Sequence, residues 1–371
     1  MSQTPRVSYA PHIWTLPKAA STSAAAANYS AGGWGRAAMQ RQQDSSMHRL
    51  TGQTMGTTWS LRLPNPDYLD LRPVQDCVQS VLDAVIAQMS NWEPGSLISR
   101  FNTAPAGSRF DLPEPFAQVL QAALHWARLS GGAMDPTMGA LVSLWGFGPV
   151  AHSHQAHPAT KPIAADMEQL LRCSGHTRLD WEAGQPLLQP GGLVLDFCGI
   201  AKGFAVDWVV QRLQSSGCKA GLFEIGGELR SWGQKPDGKP WQVQLGGQAT
   251  DAYAPLVVGL PSDPEDGGSF ATSGDFWHHF SVDGKRYSHT LDPRTGRPIE
   301  HGLSSVTVFH PECMHADALA TVLTVLGPLQ GLEFAEQHGI AAVLYEHGAA
   351  ASTTAERHPA MSSAWNKRFK S

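Results

Sequence analysis

The sequence is short of three things that would each define a class. Its five cysteines, Cys77, Cys173, Cys198, Cys218 and Cys313, are too few and too scattered for a disulfide scaffold, and none stands in CxxC spacing. A zinc site of paired cysteines is therefore unsupported. No run approaches the ~18 consecutive apolar residues of a membrane-spanning segment. There is no surplus of basic charge: Lys+Arg number 27 against Asp+Glu 32, a net charge of −5. Without a basic face a chain cannot displace the counterions of a nucleic acid. A small anion is not excluded, since one helix N-terminus and one Lys can hold a phosphate. Acids are also scarce at the start: residues 1–47 are rich in Ala, Ser and Gly and hold a single acid, Asp44. The alanines at 24–27 are too weakly hydrophobic for a signal h-region, and no cysteine follows them for lipid attachment. The expectation is a disordered leader, with a transit peptide as the alternative.

What the 371 residues do hold is a globular composition, 42% hydrophobic and 16% charged. That suffices for a large core, as two domains or one. Residues 57–63 alternate like a half-buried strand and stop at Pro64, which puts the start of order near Thr51. Val74, Cys77, Val78, Val81, Leu82, Val85, Ile86 and Met89 recur at three and four residues, the spacing of an amphipathic helix. A second helix is predicted over 115–129, ended by Gly131-Gly132. Residues 192–196, 222–225, 241–245, 256–260, 279–282, 305–308 and 340–345 read as strands, 201–213 and 317–326 as helices, and Asp283-Gly284 as a hairpin turn. Mixed helices and strands with hairpins favour α+β over a doubly wound sheet. The expected division is a leader at 1–47, a folded region at 48–348, and a polar tail at 349–371 that could add a final strand.

Several motifs could carry chemistry. Asp317 and Thr321 are four residues apart, so on a helix their oxygens share one face a turn apart. A carboxylate and a hydroxyl suit Mg²⁺, which keeps few protein ligands beside water and phosphate. A helix-terminal acid with a back-bonded Thr explains the same pair. The stretch 196–203, Asp-Phe-Cys-Gly-Ile-Ala-Lys-Gly, joins a strand to a helix with Lys202 in the first turn. A pyrophosphate could sit there, but the stretch is neither a Walker loop nor a GxGxxG fingerprint and reads equally as an ordinary turn. Within 288–296, His289 could be a general base, a phosphate ligand when protonated, or a structural histidine, and Asp292 could cap the turn. Trp145 and Phe147 stand among glycines, where they could pack on a planar ring system or simply be buried. His152, His154 and His157 alternate in a polar stretch, either a metal site or a solvated loop.

Taken in order along the chain, these stretches resemble the ApbE family, the FAD:protein FMN transferases, from about Thr51 to Tyr345. The resemblance rests on Met55-Gly56-Thr57-Thr58, Met89-Ser90-Asn91-Trp92, Ile98-Ser99-Arg100-Phe101-Asn102, residues 135–149, 196–207, Ile225-Gly226-Gly227-Glu228, Ala271-Thr272-Ser273-Gly274-Asp275, residues 287–296 and residues 317–321. It implies an α+β fold of two sub-domains of mixed or antiparallel sheet, with packed helices enclosing an FAD cleft. It implies Mg²⁺-dependent transfer of the FMN moiety of FAD to a Thr or Ser hydroxyl of an acceptor flavoprotein, with release of AMP. By similarity, Asp317, Thr321 and the Gly199 carbonyl bind Mg²⁺. Met55, Trp92, Ala133, Met134, Asp135, Asp196, Lys202 and Thr290 match FAD-contacting positions, and His289 is the candidate base. Trp92 stands where the family commonly has Tyr, and Phe197 before Cys198 is bulkier than usual. Many bacterial members are exported lipoproteins, and no such signal is seen here, so the cytoplasm is expected, with a periplasmic or organellar setting as alternatives. An FAD pyrophosphatase, in which water replaces the hydroxyl, and a non-catalytic flavin carrier are the competing functions.

Overall fold

The computed structural model describes residues 46–149, 162–245, 253, 256–260, 267–274, 279–282, 285–347 and 358–369. The expected leader up to residue 45, the three alternating histidines, Asp275, the Asp283-Gly284 turn and the tail at 348–357 lie outside the described residues.

One sheet carries the fold. Its strands are β1 (Met47–Thr54), β2 (Thr57–Pro64), β3 (Gly221–Ile225), β4 (Glu228–Trp232), β5 (Gly268–Gly274), β6 (Leu303–His310), β7 (Ala341–Glu346) and β8 (Ala360–Met361). They lie side by side in chain order, and every neighbouring pair is antiparallel. The sheet is open, and the class is the expected α+β. The helices are α1 (Arg72–Met89), α2 (Leu97–Thr103), α3 (Glu114–Leu129), α4 (Gly139–Leu144), α5 (Ala164–Cys173), α6 (Ala201–Ser215), α7 (Cys313–His338) and α8 (Ser363–Phe369).

The period of two along each strand divides the core in two. Phe223, Ile225, Ala271, Val306, Val308, Ala342 and Leu344 face the main core with Val81, Leu82, Val85, Val206, Val209, Leu319 and Leu323 of the helices. The alternate residues Leu222, Phe270, Phe309, Ala341, Val343 and Tyr345 face the opposite side, where Trp241 and Trp365 cover them. A third, smaller cluster joins Leu141, Trp145, Met167, Tyr287 and Leu291.

Several expectations need correction. Strand β1 starts at Met47, ahead of Thr51, and pairs with β2 along its whole length. Residues 192–196 form no ladder beyond a single bridge, Met138 to Val194. The Asn102 amide supplies the missing partners, donating to the Leu195 carbonyl at 2.9 Å and accepting its N–H at 2.7 Å. The helix expected over 317–326 starts earlier, at Cys313, and is broken just after Leu326, where Gly327 is non-helical with a φ of 80°; a second helical segment then runs from Pro328 to His338. This helix is long and apolar enough to cross a membrane, but it packs between the sheet and α6, as a core helix does. Further along the chain, β8 pairs with β7 and α8 sets Trp365 against Phe270 and Phe369.

Trp365 is 1% exposed, so Trp365→Ala should cost about 3–5 kcal/mol in chemical denaturation; a loss below about 1 kcal/mol would show that α8 is not part of the cooperative core. A second expectation concerns His310, packed beside His315 with ring centroids 5.1 Å apart. Burial first, and the His315 charge second, push its pKa down to about 4 from 6.5. The unfolded chain therefore takes up this proton before the folded one, so the stability contribution is full above pH 6.5 and is lost as pH falls towards 4. Denaturation midpoints across that window should fall further for the native protein than for His310→Asn.

Candidate active site

Four backbone segments meet at one end of the sheet. The β1–β2 turn is Met55-Gly56, with φ of 47° and 73°, a two-residue turn whose twist matches the strands. Beside it lies the β3–β4 turn, Gly226-Gly227. The Gly226 N–H donates to the Thr58 carbonyl at 3.2 Å, and a Cβ on Gly226 would stand 2.9 Å from Thr57 Cγ2. Glycine lets the two turns touch. A recess of about 460 Å³ opens along Gln53–Thr58. Directly after the second turn comes Glu228, buried, its carboxylate 2.6 Å from Lys202 Nζ.

Lys202 is set by the turn that starts α6. Asp196 accepts the Cys198 N–H at 2.7 Å, and the Phe197 carbonyl accepts the N–H groups of Ile200 and Ala201 at 3.0 and 2.8 Å. The Phe197 ring is buried edge-on against Phe116 with centroids 5.1 Å apart and anchors the turn. The next residues lie hard against α7. A Cβ on Gly199 would sit 2.7 Å from Thr321 Oγ1, and one on Gly203 would run into the Cys313 carbonyl. Asp317 is buried and accepts the Gly203 N–H at 3.0 Å. The fold thus brings together Gly199, Lys202, Asp317 and Thr321, and adds Glu228.

Charge in this cluster is unbalanced. Burial raises the pKa of Glu228 to about 7, with Asp317 adding to the rise and Lys202 opposing it. Burial likewise raises Asp317, against the pull of Lys202 and the Gly203 N–H. Burial alone would lower Lys202, but the charges of Glu228 and Asp317 outweigh it and raise the group. Two buried acids share one ammonium, so a bound cation is favoured here. Among the described residues no group of three or more His, Cys, Asp or Glu could hold a metal. A cation at this point must rest on one carboxylate, a hydroxyl and main-chain or substrate oxygens, a donor set that fits Mg²⁺.

Of the other predicted residues, Trp92 and Asp135 lie on loops tied to the segment of Asp196, while His289 and Thr290 belong to a different cluster. Trp92 is 46% exposed in the loop after α1. That loop is tied inward by Asn102, which donates to Asn91 Oδ1 at 3.3 Å while also binding Leu195, the residue before Asp196. Ala133 and Met134 are buried. Asp135 is fully engaged within the protein: Oδ1 accepts from the Thr137 N–H and hydroxyl at 2.9 and 2.6 Å, and Oδ2 accepts the His176 N–H at 2.7 Å with His176 Nδ1 at 3.0 Å. Its loop is joined to Asp196 by the Asp196 N–H to the Pro136 carbonyl at 2.8 Å. Trp145 is buried, and its Nε1–H donates to the Gly296 carbonyl at 2.7 Å. Phe147 meets His289 edge-on at 6.2 Å. Thr290 follows, its N–H on Ser288 Oγ at 3.1 Å and its carbonyl accepting the Ile299 N–H at 3.0 Å. His289 and Thr290 thus belong to the segment packed on the Trp145 cluster. A larger recess, about 690 Å³, lies across α7 and is lined by Trp126, Phe309, Leu319 and Lys367; Leu319 leaves the helix on the side opposite Asp317 and Thr321.

Sequence reading assigned no role to Asn102, Phe197, Asp207, Glu228 or His176. All but His176 lie within the quoted blocks. Their partners are 93 residues away for Asn102 and 106 for Asp207, which no local pattern reveals.

Known proteins share the sequence and the fold of this chain. The ApbE family profile matches residues 55–344. The FAD:protein FMN transferase of Vibrio cholerae is 37% identical over 292 residues, covering 78% of this chain and 85% of that protein. The FAD:protein FMN transferase of Escherichia coli is 33% identical over 313 residues, covering 81% and 86%. Among solved structures, the apo flavinyl transferase ApbE of Pseudomonas stutzeri superposes with a TM-score of 0.76 at 35% identity, over 88% of this chain and 97% of that one. The flavin transferase ApbE from Vibrio cholerae gives 0.74 at 33% identity, over 87% and 99%.

The tight α6–α7 contact reverses an ordinary rule. Gly→Ala in a helix normally stabilises by about 0.5–1 kcal/mol. Gly203→Ala should instead cost about 1–3 kcal/mol in denaturant titration, because the methyl meets the Cys313 backbone and Asp317 Cβ; a gain in stability would show that the two helices do not approach this closely.

Proposed function

This chain belongs to the ApbE family, and we propose the reaction that its site carries. It is an enzyme that transfers the FMN moiety of FAD to an acceptor protein, releasing AMP. The finer reading is that the acceptor atom is a Thr or Ser hydroxyl and that Mg²⁺ is held by Asp317, Thr321 and the Gly199 carbonyl. The observation that carries it is the convergence of Gly199, Lys202, Asp317 and Thr321, from two helix starts, on one point with an excess of buried negative charge.

When bound, Mg²⁺ would neutralise charge developing on the diphosphate and polarise the phosphorus under attack. The chain's own residues do the rest. Lys202, held by Glu228, offers a fixed cation at the N-terminus of α6, where the helix adds positive potential for the anhydride oxygens. Met55 and Trp92 supply apolar and aromatic surface for the flavin. By the family resemblance Ala133 and Met134, both buried, and the loops of Asp135, Asp196 and Thr290 would complete the flavin site. His289 takes the proton of the acceptor hydroxyl as its oxygen bonds to the FMN phosphorus and the bond to AMP breaks.

Incubation with FAD and Mg²⁺, with and without an acceptor, tests this. Transfer predicts AMP in step with covalently flavinylated acceptor. AMP with free FMN and no acceptor would mean hydrolysis, and FAD binding without AMP would mean a carrier. Asp317→Ala should abolish AMP release at any Mg²⁺ concentration. His289→Ala should keep FAD binding and slow transfer by ~10²–10⁴-fold; unchanged turnover removes His289 as the base.

A further inference from the structure

We infer that Asp207 is a positioning residue for the metal pair, acting through a reciprocal cap in which α6 and α7 each cap the N-terminus of the other. The inference rests on the reading of Asp317 and Thr321 as metal ligands. A helix leaves its first N–H groups without intrahelical partners, and a residue just before the helix usually supplies an acceptor. Neither helix has one: Ile200 before α6 and Glu312 before α7 make no side-chain cap. The partners come from the opposite helix. Asp317 of α7 accepts the Gly203 N–H of α6 at 3.0 Å. Asp207 of α6 accepts the Cys313 N–H on Oδ1 at 3.0 Å and the Met314 N–H on Oδ2 at 2.8 Å. The first turns therefore overlap in opposite directions, Gly203 against Asp317 and Asp207 against Cys313.

Strand β4 holds both halves. Glu228 pairs with Lys202, and Arg230, two residues on and so on the same strand face, pairs with Asp207. Asp317 and Thr321 stand four and eight residues after Cys313, one and two turns down the helix that Asp207 anchors. Asp207 thereby sets where α7 begins, and with it the distance from Thr321 to the Gly199 loop. The cap uses one oxygen of Asp317 and leaves the other for a cation.

Mn²⁺ serves as the probe for the Mg²⁺ site, with binding to the full chain followed by electron paramagnetic resonance without FAD. Asp207→Asn should weaken Mn²⁺ binding by about tenfold or more, the usual effect of losing a residue that orients a ligand. In the metal-free protein it should also speed hydrogen exchange at Gly203, Cys313 and Met314. Asp207→Glu should restore part of both. Ser362→Ala serves as the stability control: Ser362 is buried far along the chain and bonds Ile340 and Ala342. It should lower the melting midpoint and leave Mn²⁺ affinity unchanged. If Asp207→Asn behaves like Ser362→Ala while Asp317→Ala loses Mn²⁺, the positioning role is overturned and the metal reading stands. If Asp317→Ala still binds Mn²⁺, the metal reading falls and the inference falls with it. Should Asp207→Asn not fold, Arg230→Gln is read instead: about twofold to fivefold weaker Mn²⁺ binding supports the role, and unchanged binding overturns it.

Discussion

Three charges buried where two helix starts meet a strand set the terms for the rest of the molecule. Lys202 lies between Glu228 and Asp317, and no arrangement of these three alone is neutral when all are ionised. Taking charges out of water costs several kcal/mol each unless they are well paired. The surrounding architecture is built to keep them paired. Gly203 gives up its side chain so that α7 can come close enough for Asp317 to reach a backbone N–H. Phe197 is sunk into the core so that its carbonyl can start α6 at the right point. The remaining negative charge is what suits the cluster to the cation proposed above.

The sheet explains why this is possible in a single layer. Because neighbouring strands are antiparallel, alternate connections fall at the same end, and so the Met55-Gly56 and Gly226-Gly227 turns lie together. The first offers an apolar side chain above the sheet edge; the second delivers Glu228 to Lys202. Both faces of the sheet are covered, by helices on one side and by Trp241 and Trp365 on the other. The turns at its end thus spring from strands packed on both faces.

Two departures from the family pattern acquire a physical meaning. Phe197 does not crowd the proposed metal loop, since its ring leaves towards Phe116 and only its carbonyl serves the turn. Trp92 keeps a large exposed ring on a loop that Asn102 fastens to Leu195, so a broader stacking surface is offered without loosening its support. Asp135, matched to a flavin contact, has both oxygens occupied by Thr137 and His176. Its carboxylate holds its own loop in shape.

Much was legible along the chain because it depends on local periodicity. The spacing of Val78, Val81, Leu82 and Val85 specifies the buried stripe of α1, and the alternation in 305–308 specifies which residues of β6 face each core. The i, i+4 spacing of Asp317 and Thr321 put both on one helix face before any contact was known. Other features have no local signature. The strip before Asp196 looks like a strand but is completed by an asparagine amide. That Asp207 caps a helix beginning 106 residues later, or that Lys202 finds Glu228 across a turn, follows only from how the elements pack. Periodicity is a property of neighbours in sequence; pairing of buried charge is a property of neighbours in space, and only folding decides which residues those are.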